Sequence, residues 1–465
     1  MLLIPDPRTS PAELTVDTIR AWQLDLTEVE RRIGAPYARW DVRRRLGAYV
    51  RGLLKPVERK NGWQLAEANG DHTPYGVQHL LGRAVWDPET ARDDLRGYVL
   101  EHMGVPEGVL VIDETGFLKK GTHSAGVARQ YSGTAGRVEN CQIGVFLAYA
   151  SARGQVLLDR ELYLPEVWTQ DPARRAQARI PEERPFATKP EMARHMLERA
   201  FAAGVPAAWV TGDSVYGDNR RLRRWVEEQE RAYVLAVSGK EAVGVEGLPG
   251  QVKAVLAALP AEGWTRASAG AGSKGPRWYD WCWRPVAAPR HPDWRRWLLV
   301  RRSVEDPTAL TAFLVFAPQS TTLLEAVQTA GTRWAIEMCF EAAKGEVGLD
   351  QYEVRSWTGW YRHITLAMWA HALLSVVRAR HLQEASLSTT PAGVGAAAPS
   401  AGIDRRAEPW VPLSVPEIRR LFGRLVLVTR HTIGQILDWS GWRRWHQGVA
   451  QYYHRKRRSV AQLQL

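Results

Sequence analysis

Two aspartates each follow a short apolar segment of this sequence. Val109–Ile112 leads into Asp113, and Ala207–Gly212 leads into Asp213. Such runs are typical of buried strands, and side chains at the carboxyl ends of these strands project into the ligand crevice of an open sheet. A buried carboxylate is unstable unless it is paired or bound to a metal. One aspartate here would most simply cap a turn or a helix, but two on strands of one sheet favour a metal site.

A further acidic group comes from a predicted helix near residue 340. Arg333, Glu337, Glu341 and Lys344 are spaced i, i+4, i+8 and i+11, which places them on one helical face. A surface stripe of ion pairs is the alternative interpretation of this spacing. Taken with the two aspartates, the helix can supply a third carboxylate, from either Glu337 or Glu341.

Three carboxylates around one crevice can hold two divalent ions about 3.5–4 Å apart. In such a site one ion activates a water or a 3′-hydroxyl, and the other stabilises the leaving oxygen of a phosphodiester. Mg²⁺ prefers oxygen ligands of this kind, and Mn²⁺ can replace it. The predicted cofactor is therefore a pair of Mg²⁺ ions, with Mn²⁺ as a possible substitute.

The charge distribution indicates a polyanionic partner. The chain has 62 Lys and Arg against 50 Asp and Glu, a net charge of +12, and the excess is concentrated at two ends. Residues 439–465 contain six Lys and Arg and no acid, and residues 31–60 contain only Asp41 and Glu58 beside ten basic residues: Arg31, Arg32, Arg39, Arg43, Arg44, Arg45, Arg51, Lys55, Arg59 and Lys60. Because acids for helix salt bridges are scarce there, we expect nucleic-acid contact, with a solvated helix face as the alternative.

The candidate DNA-binding residues are drawn from these ends and from the predicted active-site strand and helix. They are Arg43, Arg44, Arg45, Lys119, Lys120, Arg333, Lys344, Arg443 and Arg444.

Hydrophobic patterning predicts an α/β fold whose core follows a β-β-β-α-β-α-β order, which indicates a mixed sheet with flanking helices. The expected divisions are a helical basic region (1–104), a core (105–239) interrupted by a Trp-rich β insertion (240–316), the rest of the core with the Glu-bearing helix (317–383), an Ala/Pro/Ser/Gly-rich linker (384–410) and a basic helical segment (411–465).

Several classes are excluded by the sequence. Its three cysteines, Cys141, Cys282 and Cys339, form no C-x-x-C pair, which argues against a disulfide scaffold or zinc finger and fits a reducing cytoplasm. The start has no signal-peptide pattern, and the longest apolar stretch, Ile364–Val377, is too short to span a bilayer. Phosphate-loop and nucleophile-elbow motifs are absent from the sequence.

The segments around the candidate acids resemble the DDE transposases of bacterial insertion sequences, and specifically insertion-sequence family seven-oh-one. The resemblance lies in VIDETGFLKKGTHSAGVARQYSGTAGRVENCQIGV at Asp113, WVTGDSVYGDN at Asp213 and RWAIEMCFEAAKGEVGLDQYEVRSW at Glu337, with ERKNGWQLAE and WSGWRRWHQ nearer the ends. It implies an RNase H-like core with a β-rich insertion before the catalytic glutamate. It also implies cleavage and strand transfer with Mg²⁺ on double-stranded DNA, at terminal inverted repeats and a target, by a homodimer assembled on DNA in the bacterial cytoplasm, associated with the nucleoid and not with a membrane.

The related Y-R-E-K signature selects among the acids. Its Arg, four residues before the catalytic Glu, and its Lys, seven after, match Arg333 and Lys344 only if the acid is Glu337. The signature's Tyr falls on Ala330, so Tyr352 and Tyr361 are candidates to replace it.

Asp113, Asp213 and Glu337 are thus the predicted catalytic and metal-binding residues. Asp113 is preferred to Glu114, which should point to the other strand face, and Asp218 is expected to cap the following helix. A domesticated DNA-binding regulator without catalysis and a structure-specific RNase H-like nuclease remain the alternatives.

Overall fold

A computed structural model describes residues 14–245, 248–272, 275–286, 292–388, 412–428 and 431–462. The predicted linker falls outside these residues from 389 to 410, and so does the start of the chain.

The first hundred residues are helical, as the patterning predicts. Thr15 begins the first helix with a capping box, and a buried stripe of Trp22, Leu26, Val29 and Ile33 recurs at helical spacing along it. The helices of this region are α1 (Val16–Gly34), α2 (Trp40–Leu54), α3 (Gly62–Ala68), α4 (Tyr75–Gly82) and α5 (Pro88–Met103).

The segment that carries the two aspartates alternates strands and helices. It contains β1 (Val109–Leu118), β2 (Ala128–Ser132), β3 (Arg137–Ser151), β4 (Gly154–Leu162), α6 (Glu166–Thr169), α7 (Pro172–Gln177), α8 (Lys189–Ala202), β5 (Trp209–Gly212), α9 (Ser214–Gly217), α10 (Arg220–Glu228) and β6 (Ala232–Val237). The five predicted strands are present, but β1 continues past Asp113 to Leu118. Strand β2 and the short helices α6, α7 and α9 are not predicted by the patterning.

The remaining residues add a second group of strands and the last helices. The strands and one short helix are β7 (Ala242–Val245), β8 (Leu248–Gln251), α11 (Val252–Ala257), β9 (Thr265–Gly272), β10 (Gly275–Val286), β11 (Trp294–Ser303) and β12 (Leu310–Pro318). The helices are α12 (Leu323–Thr332), α13 (Trp334–Val347), α14 (Trp357–Ser388), α15 (Val415–Leu421), a π-helical turn (Phe422–Val426) and α16 (Ile433–Gln462).

All twelve described strands belong to one mixed sheet. Its order is β2-β3-β1-β5-β6-β12-β11-β10-β7-β8, with β4 also paired to β3 and β9 to β10. The centre consists of β1, β5 and β6 in parallel, flanked by the antiparallel β3 and β12. This sheet with its flanking helices confirms the predicted RNase H-like α/β fold.

Two apolar clusters hold the sheet in place. The larger one includes the nearly fully buried middle of α14, whose residues from Ile364 to Val377 pack among helices and β4. The smaller one joins the outer strands to α12, through Trp281, Leu299, Phe313 and Val327. The second cluster matters for function because α12 leads directly into α13. Within the described ranges, no helix is long and apolar enough to cross a membrane.

Candidate active site

Asp113 and Asp213 lie next to each other at the crevice end of the parallel strands. The last residue pair of β1 and β5 is Ile112 with Gly212, so both aspartates follow at the same level. Asp213 also caps α9, because its carboxylate accepts the backbone N–H of Val215 at 2.9 Å. The capping and crevice interpretations therefore both hold for this residue.

Burial and like charge perturb both carboxyl groups. Burial first, and then the charge of Asp213, raise the pKa of Asp113 from its ordinary 3.8 to about 7. Burial, followed by the charge of Glu114, raises the pKa of Asp213. Perturbation of this kind, from desolvation together with a specific charged neighbour, is typical of functional sites.

Arg333 connects the predicted third acid to this pair. Its Nη1 lies 3.6 Å from Asp113 Oδ2, and its Nη2 donates a hydrogen bond to Glu337 Oε1 at 2.8 Å. Glu337 is half-buried, whereas Glu341, one turn further on, is exposed. The helical face therefore presents Glu337, and not Glu341, toward the aspartates.

Lys344 fastens the same face of α13 to β1. Its Nζ donates to Thr115 Oγ1 at 2.7 Å and to the Gly116 carbonyl at 3.2 Å, and burial lowers its pKa. Of the three residues that the spacing selected, Arg333 and Lys344 thus contact β1, and Glu337 is held by Arg333.

The donor chemistry at the crevice suits a hard divalent cation. Asp113 and Asp213 offer carboxylate oxygens that repel each other, and the nearest guanidinium, of Arg333, is shared with Glu337. Mg²⁺ binds through few carboxylates of this kind. Among the described residues, however, no three potential ligands form a preassembled metal cluster. The structure places the two aspartates on adjacent strands and links Glu337 to Asp113 through Arg333.

Glu114 faces the opposite side of β1, as the strand alternation predicts. Lys189 Nζ and the Tyr216 hydroxyl each donate to its carboxylate at 2.6 Å. Sequence reasoning did not single out Lys189 or Tyr216, because only the tertiary packing of α8 and α9 brings them to β1.

The predicted helix cap at Asp218 is wrong. Asn219 caps α10 by accepting the Leu222 N–H at 2.8 Å, and Asp218 instead accepts the backbone N–H of Ser238 at 2.8 Å. The cap is therefore Asn219, one position after Asp218, and the Asn219 side chain reaches the first turn of α10.

The prediction that the basic residues of segment 31–60 lack acidic partners is also wrong. Acids that lie outside residues 31–60 pair with several of these arginines: Glu28 with Arg31 and Arg32, Glu101 with Arg32, Glu30 with Arg51, and Asp71 with Arg45. Glu28 lies on α1 just before Arg31 and Arg32, whereas Glu30, Glu101 and Asp71 reach their arginines through the packing of α1, α5 and the α3–α4 connection.

The three consecutive arginines on α2 therefore differ from one another. Arg43 donates to the Tyr37 carbonyl, and Arg45 is half-buried with Asp71 at 3.5 Å. Arg44 is exposed, with its guanidinium 5.1 Å from the centre of the Trp40 ring. Arg44 is the member of the run that is best placed for DNA.

The other candidate cations also divide by environment. Lys120 and Arg444 are exposed, but Arg443 pairs with Glu67 at 2.7 Å. Lys119 Nζ lies 3.5 Å from the centre of the Tyr352 ring, and burial lowers its pKa to about 8.

Neither proposed substitute for the signature tyrosine faces the crevice. Tyr352 is buried and donates to Gln142 Oε1 at 2.8 Å, while Tyr361 is buried and donates to Glu161 at 2.9 Å. Both hydroxyls are already used inside the core, so these two substitutes are not supported.

Comparison with known proteins gives two matches. Residues 35–249 match the family described as DDE superfamily endonuclease, a range that contains Asp113 and Asp213 but not Glu337. The chain is also 26% identical, over 195 residues, to a "Probable transposase for insertion sequence element IS701" from Microchaete diplosiphon.

That alignment covers 42% of this chain and 48% of the relative, so the chain spans about half the length of the protein it matches. These matches confirm the family resemblance that the motifs predict. Over part of its length, the chain is thus similar to a DDE transposase of the IS701 type and to the DDE superfamily endonuclease family.

Proposed function

We propose that this protein is a transposase that cleaves DNA at transposon ends and joins the released ends to a target. The observation that carries the proposal is the juxtaposition of two half-buried carboxyl groups, Asp113 and Asp213, where the parallel pairing of β1 and β5 ends. A sheet with no role in phosphoryl transfer gains nothing from such like-charge crowding, which destabilises the fold.

Asp113, Asp213 and Glu337 would hold two Mg²⁺ ions, with Mn²⁺ as an alternative. Bound there, these ions would activate the attacking oxygen and stabilise the leaving oxygen at the scissile phosphate. All three acids are half-buried, and partial removal from water strengthens their attraction for a cation. Glu337 is brought in by α13, whose position Lys344 fixes against β1.

The chain's own cations would position the DNA strand. Arg333 lies at the mouth of the crevice between Asp113 and Glu337, where its planar guanidinium can pair bidentately with a phosphate once the acids are otherwise neutralised. Lys120, Arg44 and Arg444 are exposed and would contact the backbone further away. Such contacts supply affinity and orientation without reading sequence.

The wider organisation follows the same proposal. The helical region at 1–104 and the basic segment from 411 would grip the inverted repeats, the core in two parts (105–239 and 317–383) would carry the chemistry, and the insertion at 240–316 would extend the DNA surface. A homodimer assembled on two transposon ends would let one complex process both ends.

Cleavage of the element's own ends tests this function. The substrate is a labelled duplex that carries the inverted repeat flanking the gene, incubated with the full chain in Mg²⁺. We expect strand cleavage by the wild type and none by Asp213→Asn. Asp218→Asn is the matched control, because Asp218 bonds only to backbone at Ser238 in the described structure. Full activity of Asp213→Asn would overturn the assignment.

A further inference from the structure

Two arginines of the β insertion lie beside Arg333, although the sequence motifs do not include them. Arg301, on β11, is paired across the sheet with Trp281 on β10 and with Thr311 on β12, and Arg277 precedes them on β10. Arg301 Nη2 donates to Thr311 Oγ1 at 3.1 Å, and its guanidinium lies 4.7 Å from the centre of the Tyr279 ring. These contacts orient Arg301 along the face of the sheet that α12 covers.

Arg277 is fixed at the very end of α12. Its Nη2 donates to the Ala269 carbonyl at 2.6 Å and to the Gly331 carbonyl at 3.1 Å. Gly331 approaches β9 so closely that a Cβ would stand 2.0 Å from the Ala269 oxygen. The chain reaches Arg333 two residues later, so the insertion and the active-site helix meet at this point.

The charges here are not balanced within the described structure. The charge of Arg301 interacts with Arg333 and Arg277, and burial together with these two cations lowers the pKa of Arg301. Neither Arg277 nor Arg301 forms a salt bridge with any described carboxylate, and Arg277 Nε is buried without a hydrogen-bond partner.

A neighbouring arginine on the same strand provides the contrast. Arg302 points to the opposite face of β11, where its Nη2 lies 3.2 Å from Asp280 and its guanidinium 4.1 Å from the centre of the Trp264 ring. The adjacent arginines of β11 therefore differ, because Arg302 is paired with an acid and the described charged neighbours of Arg301 are arginines.

We propose that Arg301 and Arg277 bind a backbone phosphate of the DNA strand beside Arg333, so that the β insertion forms one wall of the active-site channel. Arg301 and Arg277 have no described carboxylate partner, and the charge of Arg333 beside them is already shared with Asp113 and Glu337. A phosphodiester offers the oxygens that guanidinium recognises. This inference rests on the proposed function, since it requires DNA to enter the crevice at Asp113.

A purely structural role predicts the opposite stability effect. If Arg301 served mainly to hold the sheet, its replacement would destabilise the fold. Because its charge is opposed by two other arginines and partly desolvated, Arg301→Gln should instead leave the melting temperature unchanged or raise it.

The test measures binding of the full chain to a labelled DNA duplex over a series of salt concentrations, without divalent ions. We expect Arg301→Gln and Arg277→Gln each to weaken binding and to lower the salt slope by about 0.9, the value for one phosphate contact. Arg301→Lys should restore the slope, and Arg302→Gln should leave it unchanged, because Arg302 faces the other side.

The outcomes separate this inference from the proposed function. Equal slopes for Arg301→Gln and Arg302→Gln, with both proteins folded, would overturn the phosphate site even if the wild type cleaves DNA. A lowered slope for Arg301→Gln in a protein that never cleaves its own ends would support the site and overturn the transposase assignment instead.

Discussion

Two adjacent carboxylates, Asp113 and Glu114, lie on opposite sides of β1 and have opposite environments. Glu114 receives hydrogen bonds from Lys189 and Tyr216, both at 2.6 Å. Asp113, one residue earlier, faces the charge of Asp213 and has a shared arginine at 3.6 Å. Glu114 is satisfied by hydrogen bonds within the fold, whereas the fold disfavours the charged form of Asp113, which a proton or a bound cation would neutralise. The difference identifies the side of the sheet on which the chemistry is expected.

The largest effect is expected from a substitution of Glu337, on helix α13 beside Asp113. We expect Glu337→Gln to reduce cleavage by about a thousandfold or more, because a neutral amide binds a divalent cation weakly and the transition state depends on that charge. DNA binding should be retained or slightly stronger, since phosphate contacts come from Lys and Arg. The assay is cleavage of an inverted-repeat duplex in Mg²⁺, with gel-shift binding alongside.

Glu341→Gln is the control for this helix because Glu341 is exposed one turn away from Glu337. It should keep most of the activity. If Glu341→Gln were inactive and Glu337→Gln active, the helical register taken from the family signature would be incorrect.

The carboxyl group of Asp113 should also make the stability of the protein depend on pH. The pKa of Asp113 is about 7 in the fold against an ordinary 3.8, so the folded state holds this proton more tightly than the unfolded state. Stability is therefore lost as the pH rises from about 4 to about 7. Asp113→Asn should match the wild type below this window and exceed it above, by at most about 4 kcal/mol. Urea unfolding at a series of pH values, without divalent ions, measures the difference.

Added Mg²⁺ sharpens the same experiment. A ligand that binds only the folded state stabilises it, so Mg²⁺ should raise the stability of the wild type at pH 8 and leave Asp113→Asn nearly unaffected. An equal Mg²⁺ response in both proteins would place the cation elsewhere.

The satisfied side of β1 should show the reverse behaviour. Lys189→Met removes one partner of a half-buried pair and leaves the charge of Glu114 with only Tyr216, so we expect a loss of about 2–3 kcal/mol. Adding Glu114→Gln should recover much of this loss in a double-mutant cycle. A cycle with no coupling between the two positions would contradict the contrast between the two sides.

The smallest expected effects concern the arginine run on α2. Arg44→Ala should lower the salt slope of DNA binding by about 0.9 with little change in stability. Arg45→Ala should leave the slope alone and lower the stability by about 1 kcal/mol, because Arg45 pairs with Asp71 and packs on Gly76. Reversed results would mean that exposure is a poor guide to DNA contact here.

Local pattern was sufficient to predict the parts of the site that depend on strand ends and helix faces. The apolar runs before Asp113 and Asp213 predict their strands, and the i, i+4 and i+11 spacing places Arg333, Glu337 and Lys344 on one seam. The choice between Glu337 and Glu341 needed the family signature, because both acids lie on that face.

Long-range packing accounts for what the sequence could not predict. Arg32 is paired with Glu101 of α5 as well as with Glu28 of its own helix, and Arg45 is paired with Asp71 of the α3–α4 connection. Lys189 reaches Glu114 from 75 residues away. Arg301 lies in a segment with many arginines, and only the cross-strand register separates it from Arg302. In each case the role of the side chain depends on which residues the fold brings next to it, and a single sequence does not show these neighbours.

The attachment of β12 to β6 gives the insertion a protective role as well. Five consecutive residues of β6, from Tyr233 to Val237, are paired with β12. A chain trimmed of residues 240–316 would lose most of that partner and expose β6 as an unpaired, apolar edge. Such edges recruit strands from other molecules, so the trimmed protein should self-associate even if its acidic residues remain in place. Strand β12 thus also covers an edge of the sheet that would otherwise pair with strands of other molecules.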